Sequence, residues 1–513
     1  MTRLILALSV VACLTEVWEQ QFSPFPLRVP RLPRLPRLPR LPRLPRLPRL
    51  PRLPRECRAA WVATFKNIDW PSRKGLSPEA QQAELRRIID RAQQLGINAL
   101  IFQVRPACDA LYKSRYEPSS EYLTGTIAKS PGSDPLQLAI DLAQQRGIEL
   151  HVWFNPYRAR HYEKSRAASN HITFKQPHLV INYSSYQWLD PSRKEARDLA
   201  INVMVDVTKR YDVDGIHMDD YFYPYQVKDN KGRKIDFADN ESYTAYQRQG
   251  GRLDRRVWRR THVDALVYEL YQAVKAIKPW VKFGISPFGI WRPGVPRGIE
   301  AELDAYEELA ADARKWMQQG WVDYTSPQLY WTIQPWAQSY SALLDCWAAQ
   351  SRGGRHVWPG IAVARIGQNR DANEILNQIS LARRDKRVSG QVFWNLKATL
   401  SNKGGIADIL KRGMYASPAL VPGSPWLGGY RVAAPEITFR RIQQGGKPEF
   451  TWRRGPNEVR FWVAQYLANG KWHNTNLPGT TTSWTGPANT TGVAFSTFTR
   501  TGYLSTPYTF IKP

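Results

Sequence analysis

Near the middle of the 513-residue chain, the segment Asp214-Gly215-Ile216-His217-Met218-Asp219-Asp220-Tyr221 puts an imidazole and a carboxylate two residues apart at the end of a short apolar run. Residues two apart share a face of a strand, so His217 and Asp219 are expected to look the same way, into whatever the strand borders. Asp220 faces the other way by the same alternation and lines the adjoining loop, as a proton donor or as an acceptor for sugar hydroxyls. Asp214, at the start of the run, reads as structural. Two crowded carboxyls repel, which raises the pKa of one of them. A pair in opposite protonation states is what hydrolysis of a glycosidic bond normally requires. The second acid is left open by the sequence: Asp220, Asp109, Asp69, or one of Asp229, Asp236, Asp239 and Glu241 in the long loop that follows.

Other polar and aromatic side chains follow apolar runs in the same manner. Arg105 and Asp109, Asn155 and Arg158, Ser286, Gln328 and Tyr330, Arg365, and Trp394 with Asn395 each close such a run. Arg105 and Arg158 suit a sugar carboxylate such as a lactyl group, because guanidinium binds carboxylate bidentately. Trp70, Trp153, Tyr221, Tyr223, Trp291, Tyr330, Trp331 and Trp394 offer flat faces for sugar rings. The expected substrate-binding set is Arg105, Asp109, Asn155, Arg158, Tyr223, Trp291, Gln328, Tyr330 and Trp394.

These residues need a scaffold that gathers many strand ends. Between Arg58 and about Tyr415 the sequence supplies eight β-rich runs, at 59–65, 99–104, 149–154, 215–218, 282–286, 324–330, 356–363 and 390–394. Helical patterns alternate with them, beginning near Pro78, Pro135, Pro191, Val263, Ala301, Pro335, Ala372 and Gly405. Strict alternation over this length is the pattern of an α/β fold of the (β/α)8 TIM type, with residues 56–416 as the barrel and the reactive groups at the strands' carboxyl ends. After a Pro/Gly-rich hinge at 417–429, residues 430–513 lose helical periodicity. Runs such as Glu449-Phe450-Thr451-Trp452 and Val459-Arg460-Phe461-Trp462-Val463 there read as a fibronectin-III-like β-sandwich that closes with a hairpin around Arg500-Thr501-Gly502-Tyr503.

Ahead of the barrel, residues 1–13 have the form of an export signal ending in Val10-Val11-Ala12-Cys13, a lipobox-like tetrapeptide that would make Cys13 a lipidated anchor. Residues 14–55 form a linker in which Arg-Leu-Pro repeats eight times over 31–54. Proline at every third position forbids helix and favours an extended polyproline-II spacer outside the fold. The net charge is +28, and the excess stays at +20 without the eight arginines of the repeat. Such a surface attracts polyanions, including acidic wall polymers and anionic lipid. It lacks the basic stripe of a specific nucleic-acid binder. The four cysteines, Cys13, Cys57, Cys108 and Cys346, have no metal-ligand spacing. Neither metal nor cofactor is expected, and Cys108 and Cys346 read as buried thiols.

The spacing of His217 and Asp219 is similar to the fourth strand of retaining glycosidases such as the α-amylase family. That likeness implies Asp219 as nucleophile or charge stabiliser, oriented by His217. More extensively, Arg58-Ala59-Ala60-Trp61-Val62-Ala63-Thr64, Phe102-Gln103-Val104-Arg105-Pro106, Trp153-Phe154-Asn155-Pro156-Tyr157-Arg158, the Asp214 to Tyr221 segment, Ile285-Ser286-Pro287-Phe288-Gly289-Ile290-Trp291-Arg292 and Asp323-Tyr324-Thr325-Ser326-Pro327-Gln328-Leu329-Tyr330-Trp331 together resemble the glycosylhydrolase-like family of bacterial lipoproteins. That family includes division-site glycosidases acting on denuded peptidoglycan. The resemblance spans about Arg58 to Tyr415 and implies an exported barrel that hydrolyses wall glycan. The Arg-Leu-Pro tract and the strongly basic surface depart from it.

Overall fold

A computed structural model of the chain describes residues 49–161, 168–429, 432–442, 447–453 and 459–511. Residues 1–13, with Cys13, and most of the repeat lie outside the described residues. The barrel strands are Cys57–Val62, Ala99–Arg105, Glu149–Phe154, Gly215–Met218, Lys282–Ile285, Tyr324–Thr325, the pair His356–Val357 and Gly360–Ile361, and Gly390–Phe393. All pair in parallel. The two short pieces of the seventh strand are halves of one segment, interrupted at Trp358 and Pro359. His356–Val357 pairs with the sixth strand and Gly360–Ile361 with the eighth, so the sheet closes into an eight-membered ring. The eight sequence runs thus fall on the eight strands, because strands buried on both faces read as continuous apolar stretches between turns.

Helices cover the outside. Those at Pro78–Leu95 and Pro135–Gln145 begin where the Ser77-Pro78 and Asp134-Pro135 signals place them, each capped by the preceding side chain. Others start elsewhere. The helix expected at Pro191 opens at Lys194, because the Asp190 carboxylate is taken by Ser192 and Ser242. The one expected near Val263 opens at Arg255, capped by Asp254. Its first turns carry arginines that pair with Asp236 and Asp239 and hide the apolar pattern.

Within the ring, alternate residues point inward and carry an unusual polar column. Lys282 holds Glu149 at 3.0 Å, Glu149 meets His151 at 3.1 Å, and the Tyr324 hydroxyl sits 2.8 Å from His151 and 3.0 Å from His217. His217 then meets Ser286 at 2.9 Å. Two glycines make the space. A Cβ on Gly215 would lie 2.6 Å from the His151 ring, and one on Gly284 would lie 2.0 Å from the ring of Tyr324.

Beyond the barrel, a three-stranded and a four-stranded antiparallel sheet face each other across Phe450, Trp452, Trp462, Val493 and Phe495. This β-sandwich contains strands at Lys471–Pro478 and Tyr508–Ile511 that the sequence reading passes over, and residues 500–505 form the turn before the last strand. It docks under the amino ends of the barrel strands. Arg460 reaches Asp214 at 2.5 Å with both side chains buried, and Arg500 reaches Asp212 at 2.7 Å. The end of the Arg-Leu-Pro tract, expected outside the fold, belongs to this seam. Leu53 packs against Leu420, Phe461 and Phe498, and Gln465 donates to the carbonyl of Pro51. Burying the leucine of the last repeat outweighs the extended habit of the prolines, which survives in the absence of any helix at 49–54. Of the two thiols expected inside, Cys108 is buried and Cys346 is half-buried.

The buried Arg460–Asp214 pair makes the first test. Removing one partner leaves an uncompensated buried charge, so Arg460→Leu is expected to cost about 3 kcal/mol or more. The check is the urea midpoint of the tryptophan fluorescence transition, and an unchanged midpoint would show that the seam contributes nothing to stability.

Candidate active site

The cavity at the strands' carboxyl ends has a volume of about 230 Å³ and is lined by Trp61, Ala63, Phe65, Ile68, Gln103, Trp153, Arg158, Asp219, Asp220, Tyr221, Ser286, Gln328, Tyr330 and Trp394. The first, second, third, fourth, fifth, sixth and eighth strands all contribute. Asp219 and Asp220 are the two acids in this wall. Asp220, expected to face away, looks into the cavity because the strand ends at Met218 and pleat alternation no longer governs the next two residues.

Asp219 is held from three sides. Trp153 Nε1 donates to it at 2.9 Å, Asn155 Nδ2 at 3.2 Å, and the Tyr221 backbone N–H at 3.3 Å. Asn155 is itself fixed, its Oδ1 accepting the backbone N–H of Arg158 at 2.8 Å. Arg158 is clamped between the rings of Phe65 and Tyr221, with its guanidinium carbon 4.1 and 4.8 Å from their centroids, and it donates to the Pro106 carbonyl. Burial raises the Asp219 carboxyl above its ordinary value, and Arg158, Trp153, Tyr221 N–H and Asn155 oppose that rise. Asp220 has weaker support. Burial and then the charge of Asp219 push it up to about 7, with hydrogen bonds from Tyr225 and Gln328 pulling back. Of the two, Asp220 is therefore the one that holds its proton more readily.

His217 does not orient Asp219. Its nitrogens go to Tyr324 and Ser286, with Trp61 Nε1 at 3.5 Å, and burial holds its pKa far below the ordinary imidazole value. Glu149 meets His151 Nε2, the Tyr324 hydroxyl lies between His151 Nδ1 and His217 Nδ1, and Ser286 Oγ meets His217 Nε2. His217 is thus the upper member of the interior column, beneath the cavity floor.

The other expected residues divide between the cavity and its supports. Arg158, Gln328, Tyr330 and Trp394 line it. Asn155 sits behind Asp219 as a positioning residue. Arg105 is fully buried on Glu117 and donates to the carbonyls of Asn155 and Pro156, so it braces the loop carrying Asn155 and meets no ligand. Asp109 accepts the Ala107 N–H at 3.0 Å and is pushed up to about 7 by burial, outside the cavity. Asp69 ties Ala63 N–H to Lys397 N–H at 2.8 and 2.9 Å. Tyr223 is buried over Arg259, and Trp291 packs on Tyr306 and Arg314. Each of the loop acids is taken by an arginine: Asp229 by Arg233, Asp236 and Asp239 by Arg259, and Glu241 by Arg193. Tyr225, whose hydroxyl is bonded to Asp220, was missed. The aromatic run Tyr221-Phe222-Tyr223-Pro224-Tyr225 directly after the acids was its available signal.

The family model described as glycosyl hydrolase-like 10 matches residues 56–375. The chain is 40% identical over 396 residues to glycosyl hydrolase YngK of Bacillus subtilis (strain 168), covering 75% of this chain and 76% of that protein. It is 33% identical over 368 residues to glycosyl hydrolase DigH of Escherichia coli (strain K12), covering 66% and 82% respectively. Among solved structures it is similar to the PgaB (BpsB) glycoside hydrolase domain from Bordetella bronchiseptica, with TM-score 0.47 and 15% identity over 70% of this chain and 98% of that one.

Tyr225 gives a test of the site's electrostatics. Its hydroxyl favours the ionised form of Asp220, so Tyr225→Phe should raise the pKa of Asp220 above its value near 7. Difference infrared titration of the carboxyl band, with Asp220→Asn to assign it, reads the shift; a downward shift would contradict the arrangement.

Proposed function

The chain belongs to the glycosyl hydrolase-like 10 family, and on that premise we propose that it is a glycoside hydrolase of the bacterial cell wall. It cuts β-1,4 linkages between amino sugars in glycan strands freed of their stem peptides. The observation that carries this reading is the pair of adjacent acids in one cavity, both raised by burial and Asp220 pushed further, to about 7, by the charge of Asp219 beside it. An acid that keeps its proton beside one that gives it up more readily is what glycosidic cleavage asks of its carboxyl groups. Trp61, Tyr330 and Trp394 give the cavity aromatic walls for sugar rings. Arg158 is the cavity's guanidinium and suits the lactyl carboxylate of muramic acid. In this reading the protein is exported and works in the cell envelope, held to the membrane through a lipid on Cys13. Its partner is the wall glycan, with no specific nucleic acid.

Asp219→Asn keeps the side-chain volume and removes the anion. It should lower reducing-end release from denuded glycan by about 1000-fold or more, on the order of 4 kcal/mol of transition-state stabilisation, with the thermal unfolding midpoint within about 2 °C of wild type. Full activity in this variant would remove Asp219 from the mechanism. Wild-type binding to the same glycan without any product would instead mark a non-hydrolytic wall-binding protein, and cleavage confined to other polysaccharides would move the substrate away from the wall.

A further inference from the structure

Resting on that glycosidase reading, we propose that the protein supplies no nucleophile of its own: the 2-acetamido group of the substrate attacks the anomeric carbon, Asp219 holds the amide N–H of that group, and Asp220 gives its proton to the leaving oxygen.

The argument begins from where the acids are. Cleavage by two protein carboxyls places them on opposite sides of the anomeric bond, one at the leaving oxygen and the other behind C1 or behind a water. Here both acids of the cavity come from consecutive residues at the end of one strand, and consecutive Cα atoms are only about 3.8 Å apart. In a ring of eight, the fourth strand faces the eighth, which brings Trp394, with Trp61 and Ala63 of the first strand beside it. That opposing wall is aromatic and apolar. Among the described residues, the other candidate acids are engaged elsewhere: Asp69 and Asp109 on backbone N–H groups, and Asp229, Asp236, Asp239 and Glu241 on arginines. No described carboxylate is left to attack C1 from across the cavity, or to activate a water there.

An amino sugar carries what the wall lacks. In a β-linked N-acetyl sugar the amide carbonyl oxygen sits on the face of C1 opposite the leaving group and closes a five-membered ring when it attacks. The protein then has two tasks, both on one side. A fixed anion must hold the amide N–H, turning the carbonyl oxygen toward C1 and balancing the charge that develops on the amide. Asp219, pinned by Trp153, Asn155 and the Tyr221 N–H, is that anion. A neutral acid must stand next to it at the glycosidic oxygen, which is the place of Asp220. The apolar wall of Trp61, Ala63 and Trp394 suits the acetyl methyl group.

In the first step the bond from the amide oxygen to C1 forms as the glycosidic C1–O bond breaks, and the leaving oxygen takes the proton of Asp220. The bound sugar is then a cyclic oxazolinium ion paired with Asp219. In the second step the Asp220 carboxylate takes a proton from water, the hydroxide oxygen bonds to C1, and the C1–O bond to the amide opens. Asp220 recovers its proton, the acetamide is restored, one water is consumed, and the product keeps the β configuration.

The test changes the substrate, so folding of the enzyme is not at issue. Denuded glycan strands are N-deacetylated and re-acylated as the N-acetyl, N-fluoroacetyl, N-difluoroacetyl and N-trifluoroacetyl forms, each a neutral amide of similar size with a progressively poorer carbonyl nucleophile. With the wild-type protein, kcat is expected to fall stepwise, by about 100-fold or more across the series, as the advantage of the intramolecular group is withdrawn. KM should change little, and proton NMR of the first product should show the β anomer. A rate flat within about threefold across the series, or an α first product, overturns the participation of the acetamide and leaves the glycosidase reading standing. Failure to cleave even the N-acetyl strands overturns that reading, and this one with it.

Discussion

Beneath the cavity floor, the barrel's interior is held by one unbroken run of hydrogen bonds from Lys282 through Glu149, His151, Tyr324 and His217 to Ser286. Buried charges and imidazoles are tolerated only when each donor finds an acceptor, so this run constrains everything around it. Burial works against the Glu149 anion, and the ammonium of Lys282 with His151 overcomes it and holds the carboxyl low. Gly215 and Gly284 are required because any side chain there would occupy the space of the His151 and Tyr324 rings. Trp61 and Trp358 pack around the column, the latter with its ring centroid 4.4 Å from that of Tyr324. Ser286 ends it in the cavity wall, so the floor under Asp219 and Asp220 is a polar scaffold with its hydrogen bonds already made, and it needs no rearrangement to support charge above it.

How much of this is legible in the sequence depends on the range of the interaction. The eight strands are readable because burial on both faces leaves an apolar run, and the helices at Pro78 and Pro135 because Ser77 and Asp134 cap them locally. Asp219 stands in the cavity wall. The facing of Asp220 is misjudged, since the alternation that would turn it outward stops with the strand at Met218. His217 faces inward as expected, but whether an inward side chain meets a substrate or fills the barrel depends on Tyr324 and Gly284, which are distant in sequence. Arg105 shows the same limit: an arginine at a strand end reads as a ligand group until Glu117 is found closing on it.

Shifted ionisation alone does not single out Asp220 among the buried acids. Asp109 is raised to about 7, the same value as Asp220, and Asp69 to about 6, each by burial; Asp109 accepts the Ala107 N–H, and Asp69 joins the N–H groups of Ala63 and Lys397. Asp220 differs in standing beside Asp219 in the cavity at the carboxyl ends of the strands, where the charge of Asp219 adds to the effect of burial. Asp219, more heavily braced, is correspondingly rigid, and the brace extends back through Asn155 to the loop that Arg105 and Glu117 hold.

The sandwich and residues 51–55 meet the barrel at the amino ends of its strands, at Asp214, Asp212 and Leu420, whereas the acids open at the carboxyl ends. Neither therefore contributes to the cavity wall. The two ends of the barrel are thus separate, and the Arg460–Asp214 and Arg500–Asp212 pairs lie apart from every group that lines the cavity.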